Sequence, residues 1–240
     1  MHGNNLDIMK SFPDGYFKLS YMDPPFNTRK TQKRGQVQYE DTFEDYKDFI
    51  MSRITEVYRL LSDDGSLFIH LDWHEVHYVK VWTDAVFGRH CFMNDIIWCY
   101  DYGARSKSKW STKHDNILWY VKNPKKYIFN FDQMDRLPYM APELVGPEKA
   151  ARGKTPCDWW FHTIVPTMGK EKTGYPTQKP LGILRRIVKV HSNIDDNLLD
   201  PFAGSGSFGA AAKELGRNCC LIDSSQDAIK VMTKRLVETS

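Results

Sequence analysis

The chain has 240 residues, 41% of them hydrophobic, which is enough for one full core and favours a single α/β domain over two small ones. A formal net charge of +3 excludes the strongly basic balance that announces many nucleic-acid binders, so any such surface must be local. Five cysteines, at 91, 99, 157, 219 and 220, form no C-x-x-C pair and no closed disulfide framework. They read as buried free thiols in a reducing cytoplasm, Cys157 as structural rather than nucleophilic. Neither the N-terminal MHGNNLDIMK nor any later run has the apolar length of a signal or a membrane span, so no membrane contact is expected.

Lys18 to Asp23 (KLSYMD) reads as a strand cut off by Pro24-Pro25, because proline removes backbone donors. From Phe43 to Leu61 apolar residues recur at helical spacing, with Asp63-Asp64-Gly65 as the stop. Strands follow at Ser66 to Leu71, Asp95 to Tyr100 and Asn116 to Lys122, with a helix over Glu75 to Phe87. Up to about Tyr175 the chain is then rich in proline and has no period. Beyond it, helices are expected at Lys179 to His191, Ser207 to Leu215 and Gln226 to Val237, with strands at Asn197 to Asp200 and Cys219 to Asp223. This alternation predicts a doubly wound, mostly parallel sheet of Rossmann-like α/β type with one inserted region.

Two loops carry chemistry. Asp200-Pro-Phe202-Ala203-Gly204-Ser205-Gly206 is a glycine-rich turn between strand and helix, and Asp223 ends the next strand. Glycines let the backbone approach a ligand, and the acid can hold ribose hydroxyls. Read literally, the turn also fits the G-x-G-x-x-G fingerprint of a nicotinamide dehydrogenase, and a ligand-free glycine turn would look the same. The second loop is Asp23-Pro24-Pro25-Phe26, which alone could be a rigid turn. On adjacent central strands both loops would face one crevice at the carboxyl edge of the sheet, where a dehydrogenase has no use for Asp-Pro-Pro-Phe.

These loops, with HLDWHEVHYVKVW at 70–82, KHDNILWYVKNP at 113–124 and TGYPTQKP at 173–180, resemble the beta-class amino methyltransferases of DNA, with their motifs in permuted order. The resemblance spans nearly the whole chain. It implies a class I methyltransferase fold with S-adenosylmethionine as cofactor and direct methylation of an exocyclic amine, adenine N6 before cytosine N4. Asp23 and the Pro24 carbonyl would accept the amine hydrogens, Pro25 would fix the loop, and Phe26 would stack on a base turned out of the duplex. Asp200, Phe202, Ala203, Gly204, Ser205 and Gly206 would wrap the cofactor, Asp223 its ribose, and Lys179 with Thr177 its carboxylate at a helix N-terminus. Where the family commonly has Gly-Asp near the N-terminus, this chain has Gly3-Asn4, leaving the adenine contact to the Asn4 amide.

Two basic stretches are candidates for phosphate contacts: Arg29, Lys30, Lys33 and Arg34, then Arg105, Lys107, Lys109 and Lys113 with Trp110 as a wedge. His114-Asp115 belong to a motif that the family carries near the base pocket. The division expected is a catalytic half over 1–122, a target-recognition insertion over 123–172 and a cofactor half over 173–240. Double-stranded DNA is the expected partner, with room for a homodimer and for a cognate restriction endonuclease. The alternatives are an RNA amine methyltransferase, whose single-stranded substrate presents a splayed base, and a catalytically silent DNA-binding subunit.

Overall fold

The computed structural model describes the chain apart from residues 35, 36, 167, 168, 170, 176, 239 and 240, and apart from the side chains of residues 30–40 and 238. In chain order the principal elements are α1 (Asn5–Met9), β1 (Phe17–Met22), β2 (Lys30–Arg34), β3 (Val37–Asp41), α2 (Tyr46–Leu60), β4 (Leu61–Leu71), α3 (Val76–Phe87), β5 (Phe92–Cys99), β6 (His114–Val121), α4 (Pro147–Arg152), β7 (Trp159–Phe161), α5 (Leu181–His191), β8 (Asn197–Asp200), α6 (Ser207–Glu214), β9 (Asn218–Leu221) and α7 (Gln226–Glu238).

Seven strands form one sheet in the order β7-β5-β6-β4-β1-β8-β9. β1 pairs in parallel with β4 and β8, β8 with β9 and β5 with β7, whereas β6 runs antiparallel to β4 and β5. The doubly wound expectation therefore holds for the centre of the sheet. β1 is buried at five of its six residues, as a central parallel strand must be when helices cover both faces. On one face Met9, Ile50, Ile54, Val57, Val76 and Val79 pack against Met22, Leu67 and Ile69. On the other, Ile183, Leu184, Ile187, Phe208 and Ala211 pack against Leu19, Tyr21 and Phe68.

β1 and β8 lie side by side, yet the chain leaves them toward opposite edges of the sheet. This is the topological switch point, where a crevice opens at the carboxyl ends of the strands. Asp23 follows β1 and Asp200 ends β8, so the two sequence loops do flank it.

Three expectations need correction. The helix ending at Leu60 passes directly into an eleven-residue β4, so Asp63-Asp64-Gly65 is not a helix stop. It lies where the β1–β4 register jumps from Phe17↔Leu61 to Leu19↔Ser66, and Asp64 is held there by Lys18 at 2.6 Å. The stretch after 122 is not wholly irregular: it contributes β7, which adds a parallel edge to β5 and buries Trp160 while Trp159 and Phe161 stay exposed. Among the cysteines, all free, Cys91 is buried, Cys157 is exposed beside this edge, and the other three are half-buried. No helix among the described residues is long and apolar enough to cross a membrane.

Candidate active site

Two cavities meet at the switch point. The larger, about 630 Å³, runs from the N-terminal segment past the glycine-rich turn to Asp23. The smaller, about 430 Å³, is walled by Trp73, Trp98, Tyr100 and Tyr102 with Asp72 and Asp115. Phe26, Thr177, Gln178 and Lys179 line both, so a group held in one can meet a group held in the other at this junction.

At the junction Lys179 Nζ donates to both carboxylate oxygens of Asp23, at 2.7 and 2.8 Å. Their side chains are only 9% and 18% exposed, so the pair is largely shielded from solvent screening. The same ammonium sits 4.9 Å from the centre of the Phe26 ring. Expected beside a cofactor carboxylate, Lys179 thus gives two of its three donors to Asp23 and keeps one. Each Asp23 oxygen retains a lone pair.

The loop is clamped by residues that sequence reasoning missed. Tyr46 donates to the Pro25 carbonyl at 2.7 Å, whereas the Pro24 carbonyl receives no hydrogen bond among the described residues. Asp41, buried at the end of β3, accepts the backbone N–H groups of Asn27 and Thr28 at 2.7 and 3.0 Å. The Asn27 amide also donates to Glu75 at 2.8 Å. These contacts, with the Arg29 N–H on the Asp41 carbonyl at 2.8 Å, hold Asn27 and Arg29 at positive φ, 54° and 57°, a conformation that costs free energy outside glycine. Nothing in the periodicity of 27–46 signals that Asp41 and Tyr46 fold back onto this turn.

At the larger cavity the Gly204 N–H donates to Asp223 Oδ2 at 2.8 Å and the Ser225 N–H to Oδ1 at 2.8 Å, so this acid ties the turn to β9 and still has acceptor capacity. Gly204 has φ +48° and faces the Tyr175 ring. Asp200 accepts the Phe202 N–H at 3.0 Å. Burial raises the Asp200 carboxyl well above the usual range, with the charges of Asp23 and Asp223 adding to it, and burial likewise raises Asp223. Phe202, Ala203 and Ser205 line the cavity. At Gly206 the close neighbour is protein: φ is +71°, and an added Cβ would stand 2.7 Å from Met232 Cβ. Asn4 lines the cavity but caps α1, its Oδ1 accepting from Leu6 N at 2.9 Å, which leaves its NH₂ to act. Thr177 is exposed at φ 54°, and the first N–H of α5, at Leu181, goes to Glu171 at 3.1 Å rather than to an open anion site.

The basic stretches divide. Arg29 is exposed beside the Asp23–Phe26 loop, and the side chains of Lys30, Lys33 and Arg34 lie outside the described residues. Arg105 pairs with Asp101 at 2.5 Å, and Lys113 is turned onto the carbonyls of Tyr102 and Ala104. Lys107 is exposed, Trp110 is 97% exposed, and Lys109 lies over the Trp73 ring at the smaller cavity.

Known proteins share the family and the fold of this chain. The DNA methylase family profile matches residues 17–234. The type II methyltransferase M.HpaI of Haemophilus parainfluenzae is 30% identical over 97% of this chain and 72% of its own length. The DNA adenine methyltransferase YhdJ of Escherichia coli is 29% identical over 98% of this chain and 81% of its own. Among solved structures, the M1.HpyAVI–SAM complex superposes with a TM-score of 0.69 at 23% identity, covering 98% of this chain and 97% of that one. The cytosine-N4-specific PvuII DNA methyltransferase gives 0.72 at 16% identity, covering 98% and 84%. With the family matched over nearly its whole length and two special loops meeting at one switch point, the chain belongs to the DNA methylase family and is a DNA methyltransferase.

Proposed function

We propose that this chain methylates the exocyclic N6 amine of adenine in double-stranded DNA. The observation that carries the reading is the junction itself: Asp23 with open lone pairs beside the Pro24 carbonyl, which no described residue hydrogen-bonds, and the Phe26 ring, between two cavities of different chemistry. The relative YhdJ, named as an adenine methyltransferase, supports adenine.

S-adenosylmethionine, when bound in the larger cavity, supplies an electrophilic sulfonium methyl group. The lining fits such a molecule: Asp23, Asp200 and Asp223 suit a cationic ligand, Arg53 and the spare donor of Lys179 suit a carboxylate, and Phe49, Phe202 and Tyr175 suit a flat ring. Asp223 would hold ribose hydroxyls, the Asn4 amide the adenine, and Phe202 to Ser205 the remainder, with Asp200 and Gly206 shaping the turn and Thr177 at the junction. An exocyclic amine is a poor nucleophile because its lone pair is delocalised into the ring. Asp23 and the Pro24 carbonyl, accepting its two hydrogens, favour a pyramidal nitrogen whose lone pair is free. Phe26 stacks on the extruded base, an interaction of about 1–3 kcal/mol that offsets part of the unstacking cost.

Residues 1–122 and 173–240 would then form the two halves of the catalytic domain, with 123–172 choosing the sequence through exposed Arg152 and Lys154 and half-buried Arg136. Arg29, Lys107, Lys109 and Trp110 would meet the backbone and the gap left by the base. A homodimer through the open β7 edge, where Trp159 and Phe161 are exposed, a cognate endonuclease and a cytoplasmic location complete the reading. The test is incubation with labelled S-adenosylmethionine and duplex DNA, then digestion to nucleosides. N6-methyladenine is expected, absent with Asp23→Ala; N4-methylcytosine as the sole product would overturn the base assignment.

A further inference from the structure

A row of four polar side chains crosses the sheet directly beneath the catalytic loop. Tyr21 on β1 meets His70 Nδ1 at 2.6 Å, His70 Nε2 meets Asp115 Oδ2 at 3.1 Å, and Tyr100, just past β5, donates to Asp115 Oδ1 at 3.0 Å. The strands involved, β1, β4, β6 and β5, are consecutive neighbours in the sheet. Tyr21 is 2% exposed, His70 fully buried and Asp115 7% exposed.

The proton positions follow from chemistry. Burial works to raise the Asp115 carboxyl, but hydrogen bonds from His70 and Tyr100 and the charge of Lys179 bring it below the usual range. Burial first, then nearby acids, keep Tyr21 protonated. An ionised Asp115 can only accept, so it favours the tautomer in which His70 Nε2–H donates to it and Nδ1 accepts from the Tyr21 hydroxyl. Every donor in the row points toward Asp115, and each buried polar group is paired, which is how such networks rigidify rather than destabilise a core.

The row also touches both halves of the site. The Tyr21 ring stacks on Phe208, at the start of α6 after the glycine-rich turn, with centroids 5.3 Å apart at 16°. The His70 ring lies under Phe26, centroids 6.3 Å apart at 29°, with Trp98 edge-on at 5.4 Å. Asp115 and Tyr100 wall the smaller cavity, and Tyr21 lines the larger.

We propose that Tyr21, His70, Asp115 and Tyr100 act as positioning residues that hold the Phe26 ring, and through it the target base, in register with the cofactor turn. This rests on the assignment of Phe26 as the base-stacking residue. The row fixes the plane of the imidazole, the imidazole seats Phe26, and an imidazole free to rotate would let the base sit off line. A misplacement on the scale of 1 Å costs on the order of a hundredfold in rate.

The experiment uses the full chain and a duplex carrying its methylated site, with 2-aminopurine replacing the target base in a parallel sample. Tyr21→Phe and Tyr100→Phe each remove one hydrogen bond at nearly constant volume. Expected are an approximately tenfold slower single turnover at saturating DNA and cofactor and altered 2-aminopurine fluorescence, which reports stacking on Phe26, with cofactor Kd within twofold for Tyr100→Phe, which stands outside the larger cavity. His70→Gln, whose amide can accept from Tyr21 and donate to Asp115, should keep more rate than the similarly sized His70→Leu. Equal rates for these two, or parental rates for both Tyr→Phe variants, overturn the proposal. If His70→Leu does not fold, Tyr100→Phe, at the half-buried end, decides. A parent chain that methylates no DNA would instead sink the proposed function, since the row is judged only against an active parent.

Discussion

Replacing Lys179 by methionine removes the ammonium from Asp23 while keeping the length of the side chain. At 2.7 Å and an effective dielectric near 20, the attraction is roughly 6 kcal/mol, most of which offsets the desolvation of both groups. What survives is a coupling of about 0.5–3 kcal/mol, the range that double-mutant cycles find for contacting pairs. Breaking a buried pair from one side usually costs about 3–5 kcal/mol, and with Asp23 still 18% exposed the lower end applies. Lys179→Met should therefore lower the melting midpoint by roughly 6–12 °C, at about 2–4 °C per kcal/mol for a domain of this size. Asp23→Asn combined with Lys179→Met should cost less than the sum of the two by that coupling. Chemical denaturation of the four-member cycle measures it, and calorimetry on the same proteins should find S-adenosylmethionine affinity reduced only a few fold by Lys179→Met. Additive stabilities with a hundredfold loss of cofactor affinity would refute the reasoning and return Lys179 to the cofactor carboxylate.

Gly206→Leu, and to a lesser degree Gly206→Ala, should destabilise the fold first and cofactor binding through it, because φ is +71° and Met232 of α7 occupies the space; an unchanged unfolding midpoint would show otherwise. Neutralising Lys107 and Lys109 should weaken binding to all duplexes alike and flatten the salt dependence by roughly 0.9 for each phosphate no longer neutralised, and an unchanged slope would return the loop to a merely solvated one. Asp200→Asn should raise stability at neutral pH. The folded-state carboxyl is raised, so the wild type loses stability as pH climbs through and above the unfolded carboxyl range near about 4, whereas below it both carboxyls are protonated and the two proteins converge. A gain that persists undiminished at about pH 3, below that range, would assign it to packing.

Much of this could be read in the chain because the informative residues are close together in sequence. Asp23-Pro24-Pro25-Phe26 and the 200–206 turn each carry their chemistry within seven residues, and the helices α2 and α5 bury a single face whose spacing is plain. What escaped was built from distant pieces. Lys179 reaches Asp23 across 156 positions, and His70 meets Asp115 across 45, so neither pairing leaves a local trace. The edge strand β7 has only three residues, too few for a period of two to emerge, and it forms because β5 offers it an open edge.

The acidic character of the larger cavity connects stability to catalysis. Asp23, Asp200 and Asp223 converge on one space, and Lys179 offsets only the first of them by direct contact. A buried carboxyl, Asp200, and a half-buried one, Asp223, both held above their usual range, favour any ligand that brings positive charge, since binding relieves a penalty the fold already carries. A sulfonium ligand has that charge, and once the methyl group is transferred the neutral thioether does not. If the cofactor occupies this cavity as proposed, carboxylates that favour the sulfonium would hold the spent product less firmly. This asymmetry predicts that S-adenosylmethionine binds more tightly than S-adenosylhomocysteine, by a margin that shrinks in Asp223→Asn. Calorimetric titration of both ligands against both proteins measures it, and equal affinities in the parent would refute the electrostatic account.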